Sequence, residues 1–147
     1  MDGFDKRVKD SSRAAASYGQ LGFGWLTRDA GFAMELYRRA HELKPDNWYY
    51  LWGLGGAHLL MGQLDQAIAE LTESTKLPGG ENSINFFSLA MAHGGRGNKD
   101  EATRWYQKAM AQMPTDRSSM DATLQAVLDS VYSMASTRLG IKTEEEK

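Results

Sequence analysis

The chain has no cysteine, so it can form neither disulfide bonds nor thiolate metal sites. Neither sign of charge dominates, because 17 Lys and Arg face 19 Asp and Glu. We therefore expect no general attraction to nucleic acid or to anionic lipid. Long apolar runs are also missing, and residues 1–7 lack the apolar core of a signal peptide. These absences predict a cytoplasmic protein with no nucleic-acid or membrane partner.

The composition is that of a globular domain, with 41% hydrophobic and 24% charged residues among 147. Apolar residues recur every three or four positions, and no stretch alternates with period two. The pattern predicts an all-α protein of seven helices. Turns of two to five residues would make neighbouring helices antiparallel.

An internal repeat extends from Leu51 to Pro114, with an offset of 35 residues between its two copies. The matched pairs include Leu54 with Leu89, His58 with His93, Gly62 with Gly97, and Ala67 with Ala102. A period of this length is typical of stacked helical hairpins. The three prolines, Pro45, Pro78 and Pro114, each stand where one unit would end.

The region before the repeat is less regular. We expect residues 1–12 to be flexible and a helix to begin at Ser11 or Ser12. Its predicted inward face consists of Ala14, Ala15, Tyr18, Leu21 and Trp25. Gly19, Gly22 and Gly24 each cost a helix about 1 kcal/mol relative to alanine. A helix that keeps them is expected to have a neighbour in close approach.

The repeated residues resemble the tetratricopeptide repeat family. That family's second-helix signature is matched by Ala33, Tyr37, Ala40, Pro45 and by Ala102, Tyr106, Ala109, Pro114. Its first-helix signature is matched by Leu51, Leu54, Gly55, His58, Gly62 and by Phe86, Leu89, Ala90, His93, Gly97. The segment from Asn85 to Tyr106 is also similar to repeats of large multidomain planctomycete proteins, where they accompany kinase or propeller domains.

The resemblance implies a right-handed α-solenoid of three helical hairpins followed by a capping helix. The repeats would span about 13–45, 46–79 and 82–114, and the cap 117–139, within one domain of residues 13–139. Residues 140–147 would form a flexible acidic tail. In this family the first helix of each hairpin lines a concave groove that binds a protein or peptide.

Nine residues are predicted to line that groove from positions one turn off the core stripe. They are Phe23, Tyr49, Trp52, Gly56, Leu59, Ile84, Phe87, Met91 and Gly94. The alternative is that Trp52 and Phe87 pack on the seventh helix or on a neighbouring hairpin. No lysine or arginine occupies these positions, so the expected partner is an apolar segment rather than a chain-terminal carboxylate.

Other functions have weaker support in the sequence. His58 and His93 stand at equivalent repeat positions, which favours packing over metal binding. No nucleophile and base occur in a supporting motif, so we expect neither an enzyme nor a cofactor. A second hypothesis is a self-assembling structural module, such as a homodimer formed through the groove or the terminal repeat.

Overall fold

The computed structural model describes residues 3–143, apart from the side chains of residues 3–5 and 8. This part of the chain forms seven α-helices and no strand, as predicted. The helices are α1 (Gly3–Trp25), α2 (Ala30–Leu43), α3 (Trp48–Leu60), α4 (Leu64–Lys76), α5 (Ser83–Gly95), α6 (Lys99–Ala111) and α7 (Ala122–Leu139). None of these helices is long and apolar enough to cross a membrane.

The contacts divide the chain into two compact units, the first ending at Gly80 and the second beginning at Glu81. In the first unit α1 packs on α2, α2 on α3, and α3 on α4. In the second unit α5 packs on both α6 and α7. The single domain of residues 13–139 expected from the sequence stays a prediction.

Side-chain caps explain where several helices begin. The Asp29 carboxylate accepts a hydrogen bond from the Phe32 amide at 2.9 Å and starts α2. The Asn47 side-chain oxygen caps α3 by accepting a hydrogen bond from the Tyr49 amide at 2.9 Å. Gly62 and Gly97 follow α3 and α5 with φ of 77° and 85°, a conformation that favours glycine.

Two predicted helix starts are wrong. The first helix begins at Gly3 instead of near Ser11, because residues 3–12 contain no proline and a formed helix extends at little cost. The seventh begins at Ala122 instead of near residue 117. Its cap is Asp121, whose carboxylate accepts hydrogen bonds from the amides of two residues in the first turn, at 2.8 and 3.3 Å. The predicted acidic tail lies outside the described residues from position 144 onward.

The buried face of α1 also differs from the predicted one. Ala15, Gly19 and Gly22 are buried, as is Leu26 just after the helix, whereas Leu21 and Trp25 are 53% and 39% exposed. The glycines face inward because the neighbouring helices approach too closely for a side chain. A Cβ atom at Gly19 would lie 2.6 Å from the Tyr50 ring. The predicted close approach is therefore confirmed, but it uses a different side of the helix.

The Tyr37 ring, fully buried, joins α2 to both α1 and α3. A Cβ atom at Gly22 would lie 2.8 Å from one edge of this ring, and a Cβ atom at Gly53 would lie 2.2 Å from the opposite edge. Two glycines thus create the space that the aromatic side chain fills. We call this arrangement the tyrosine wedge.

Both units contain a hydrogen bond between the same two repeat positions of a helix pair. The position that donates in one unit accepts in the other. In the first unit the Ser74 hydroxyl of α4 donates to the carbonyl of Trp48 at 2.8 Å. In the second, Ser83 stands where Trp48 stood, and its hydroxyl donates to the carbonyl of Ala109 at 2.7 Å. Ala109 lies in the last turn of α6, where carbonyls lack an intrahelical partner, whereas Trp48 is the first residue of α3. The repeat thus retains the contact while its side chains vary.

The tyrosine wedge predicts opposite effects for two glycine substitutions. Gly53→Ala inserts a methyl group into the Tyr37 ring and should lower the free energy of unfolding by about 1–3 kcal/mol. Gly24→Ala meets no atom within 4 Å and should raise it by up to about 1 kcal/mol, because alanine favours helix. Urea unfolding of both variants measures the difference. Equal effects from the two substitutions would contradict the wedge.

Candidate functional site

The first unit buries three of the five predicted groove residues that it contains. Trp52, Gly56 and Leu59 are buried, while Phe23 and Tyr49 remain partly exposed. Only the last two are therefore available for contact with a partner in this conformation. We call the side of α1 and α3 that carries them the α1–α3 face.

Tyr49 is held in place by other aromatic side chains. Its ring stacks on Trp52 with centroids 5.4 Å apart and an interplanar angle of 16°. Its hydroxyl lies 3.3 Å from that of Tyr37, which also meets Trp52 edge to face. The ring reaches α1, because a Cβ atom at Gly19 would lie 3.5 Å from it. Phe23 follows one helical turn further along α1.

In the second unit, α7 covers the predicted groove positions of α5. Ile84, Phe87 and Met91 are buried. The Phe87 ring contacts Tyr132 of α7 at a centroid distance of 5.5 Å, as the alternative interpretation of Phe87 expected. A Cβ atom at Gly94 would lie 2.8 Å from Leu139. Ile84, Phe87 and Met91 are therefore not accessible to a partner in this conformation, whereas Gly94 is partly exposed.

The seventh helix packs mainly on α5 and also reaches Tyr106 of α6. The Tyr106 hydroxyl lies 2.8 Å from that of Ser136. Four residues earlier on α7, Tyr132 contacts the Phe87 ring of α5. The α7 helix therefore covers part of α5 and closes the second unit.

The histidines take structural positions. His58 Nδ1 lies 2.7 Å from a carboxylate oxygen of Glu70, which links α3 to α4. The equivalent pair in the second unit is His93 with Trp105, and His93 Nδ1 has no hydrogen-bond partner among the described residues. Within residues 3–143 no cluster of three His, Asp or Glu side chains could hold a metal ion.

A second exposed apolar surface was not anticipated. Trp25 and Phe32 pack edge to face, with ring centroids 5.2 Å apart, and Phe32 is 46% exposed. This surface differs from the prediction because Trp25 belongs to the apolar stripe of α1 that the periodicity predicts to face inward. The signal that could have found it is the parallel stripe of Ala15, Gly19 and Gly22, whose small side chains permit closer packing.

Comparison with solved structures supports the helical-repeat interpretation. The tetratricopeptide repeat domain of Arabidopsis OM64 superimposes with a TM-score of 0.67 at 17% sequence identity, over 88% of this chain and 97% of that one. The chain has the fold of a tetratricopeptide repeat domain. No protein-family model and no curated protein sequence matches it significantly.

The Tyr37 side chain of the wedge carries a titratable hydroxyl, which lies beside that of Tyr49. Burial raises the pKa of Tyr37 far above the usual value of 10.0, and the adjacent Tyr49 raises it further. The folded state keeps this phenol neutral, whereas the unfolded chain ionises it near its ordinary pKa. The stabilising contribution is therefore fully present below pH 10 and lost as the pH rises above it.

We expect the free energy of unfolding to fall above about pH 10, by about 1.4 kcal/mol per pH unit for this one group. Tyr37→Phe removes the titrating hydroxyl and should make the fall of the free energy of unfolding with pH less steep by that amount. It also loses the hydrogen bond to Tyr49. Urea unfolding at several alkaline pH values measures both slopes. Parallel declines in the two proteins would show that the Tyr37 hydroxyl is not the titrating group.

Proposed function

We propose that this protein is an interaction module that binds an apolar segment of another protein on the α1–α3 face. Tyr49 is the central contact and Phe23 extends it along α1. The observation that carries the proposal is the stacking of the partly exposed Tyr49 on the buried Trp52. We assign no catalytic role and no cofactor, and the cytoplasmic location expected from the sequence stays a prediction.

The rigidity of Tyr49 supports a role in binding. Stacking on Trp52 and the contact with the Tyr37 hydroxyl restrict the ring before any partner arrives. A side chain that is already ordered loses little conformational entropy on binding. Tyrosine also combines a large apolar ring with a polar tip, and it is enriched among residues that dominate binding energy.

The chemistry of the face indicates the class of partner. Neither Phe23 nor Tyr49 carries a charge, and Gly19 and Gly53 beside them have no side chain. A carboxylate would find no cation at these positions. An apolar side chain could instead rest against the exposed edge of Tyr49, which favours a peptide or helix with apolar anchors.

Trp52 has a supporting role in this proposal. It is 2% exposed and meets Tyr37 and Tyr49 through its ring, so it orients the contact residue without touching the partner. Phe87 also makes no direct contact with a partner in this proposal, because it is fully buried against α7.

A random-peptide display selection against the full chain tests the proposal without a known partner. The selected peptides should share apolar residues at helical or alternating spacing. Tyr49→Ala should weaken their binding at least about tenfold, as expected for a dominant aromatic contact. Fluorescence anisotropy with labelled peptides measures the dissociation constants.

Trp105→Ala is the matched control, because Trp105 is a partly exposed aromatic residue of the second unit. It should leave the peptide affinity unchanged, and circular dichroism should show that both variants remain folded. Peptides that bind Tyr49→Ala and Phe23→Ala as tightly as the original chain would rule out the α1–α3 face.

A further inference from the structure

The exposed apolar side chains of the described residues concentrate on one surface. Of six large hydrophobic residues that are at least 36% exposed, four lie on the hairpin of α1 and α2. These four are Leu21, Trp25, Phe32 and Leu43. Single exposed apolar residues are ordinary, but a contiguous group indicates an interaction surface. We call this surface, together with Tyr18 and Arg39, the outer face.

One end of the outer face carries a pair of exposed aromatic side chains. Trp25 ends α1, Phe32 lies in the first turn of α2, and their rings pack edge to face at 5.2 Å. Both rings are well exposed, so the pair forms an aromatic knob rather than part of the core.

The other end of the outer face is a shallow depression of about 410 Å³. Its lining consists of Tyr18, Arg38, Arg39, Glu42 and Leu43. The Arg39 guanidinium carbon lies 5.9 Å from the centre of the Tyr18 ring. A guanidinium beside an aromatic ring offers a further aromatic side chain a stacking partner.

The knob and the depression are separated by the same number of residues on α1 and on α2. On α1, Trp25 follows Tyr18 by seven residues, and on α2, Arg39 follows Phe32 by seven residues. Seven residues rise about 10 Å along a helix. Leu21, the most exposed of the four apolar residues, lies midway between Tyr18 and Trp25.

We propose that a second copy of this chain docks on the outer face through a two-fold axis beside Leu21. The axis places α1 antiparallel to α1 of the partner, and α2 antiparallel to α2 of the partner. The knob of each copy then enters the depression of the other, which gives the self-complementary contact of a two-fold dimer. Leu21 meets its own counterpart at the centre.

The charges of the outer face permit this approach. Arg38 forms ion pairs with Glu35 and Glu42, and Arg39 lies 3.6 Å from Glu35. The charges of two cations and two anions therefore compensate each other within one copy. No net electrostatic repulsion opposes the approach of the second copy. A strongly charged partner would find no complementary field here.

The size of the face sets the expected strength. The 14 residues of α2 extend about 21 Å, and two adjacent helices are about 20 Å wide. Each copy thus contributes about 400 Å² in projection, and a dimer encloses about 800 Å². This lies at the low end of specific interfaces and predicts weak, reversible association.

Sedimentation velocity of the full chain, from about 10 µM to about 1 mM, tests the dimer. The mass should rise with concentration from 16.4 kDa towards twice that value. The double variant Trp25→Ser with Phe32→Ser should weaken association at least about tenfold, since it removes the knob from both copies. Met110→Ser, which replaces a 41% exposed residue of the second unit, should leave association unchanged.

The absence of native cysteine allows a second, geometric test. Leu21→Cys places a thiol beside the proposed axis, so mild oxidation should link two copies rapidly. Gln107→Cys, at an exposed position of α6, should link far more slowly. A strictly monomeric chain at the highest concentration, a dimer unaffected by the double serine variant, or equal linking rates for the two cysteine variants would each overturn the proposal.

Discussion

The contact of the Tyr37 ring with two glycines determines how the first unit packs. Gly22 and Gly53 lack side chains where opposite edges of the ring approach, so α1, α2 and α3 meet at one residue. In the second unit, Tyr106 of α6 meets the Phe87 ring of α5 edge to face, and its hydroxyl lies beside that of Ser136 of α7. A buried tyrosine that contacts two neighbouring helices is thus common to both units.

The two units present different surfaces. In the first unit the wedge supports Trp52 and leaves the stacked Tyr49 partly exposed, which provides a rigid aromatic contact. In the second, Tyr132 of α7 covers Phe87, and the corresponding surface is closed. The inward glycines of α1 turn Trp25 outward, and this creates the outer face. Binding a foreign segment and binding a second copy would therefore use separate surfaces.

Sequence patterns predicted the fold well, because the helix ends carry strong local signals. Asp29, Pro45 and Gly62 stand where the structure starts or ends helices. The accessibility of Trp52 and Phe87 was harder to predict, because it depends on tertiary packing that periodicity does not encode. The error in α1 has a similar origin, since a stripe of large apolar residues outweighed a parallel stripe of glycines that permits closer helix contact.

Hydrogen exchange of a Tyr37→Leu variant tests the central claim most directly. Leucine keeps an apolar side chain but cannot reach both glycines, so amide protection should fall together in α1, α2 and α3. Protection in α5–α7 should stay unchanged, because those helices belong to the second unit. Loss of protection confined to α2, with α1 and α3 unaffected, would contradict the role of Tyr37 as the residue that joins the three helices.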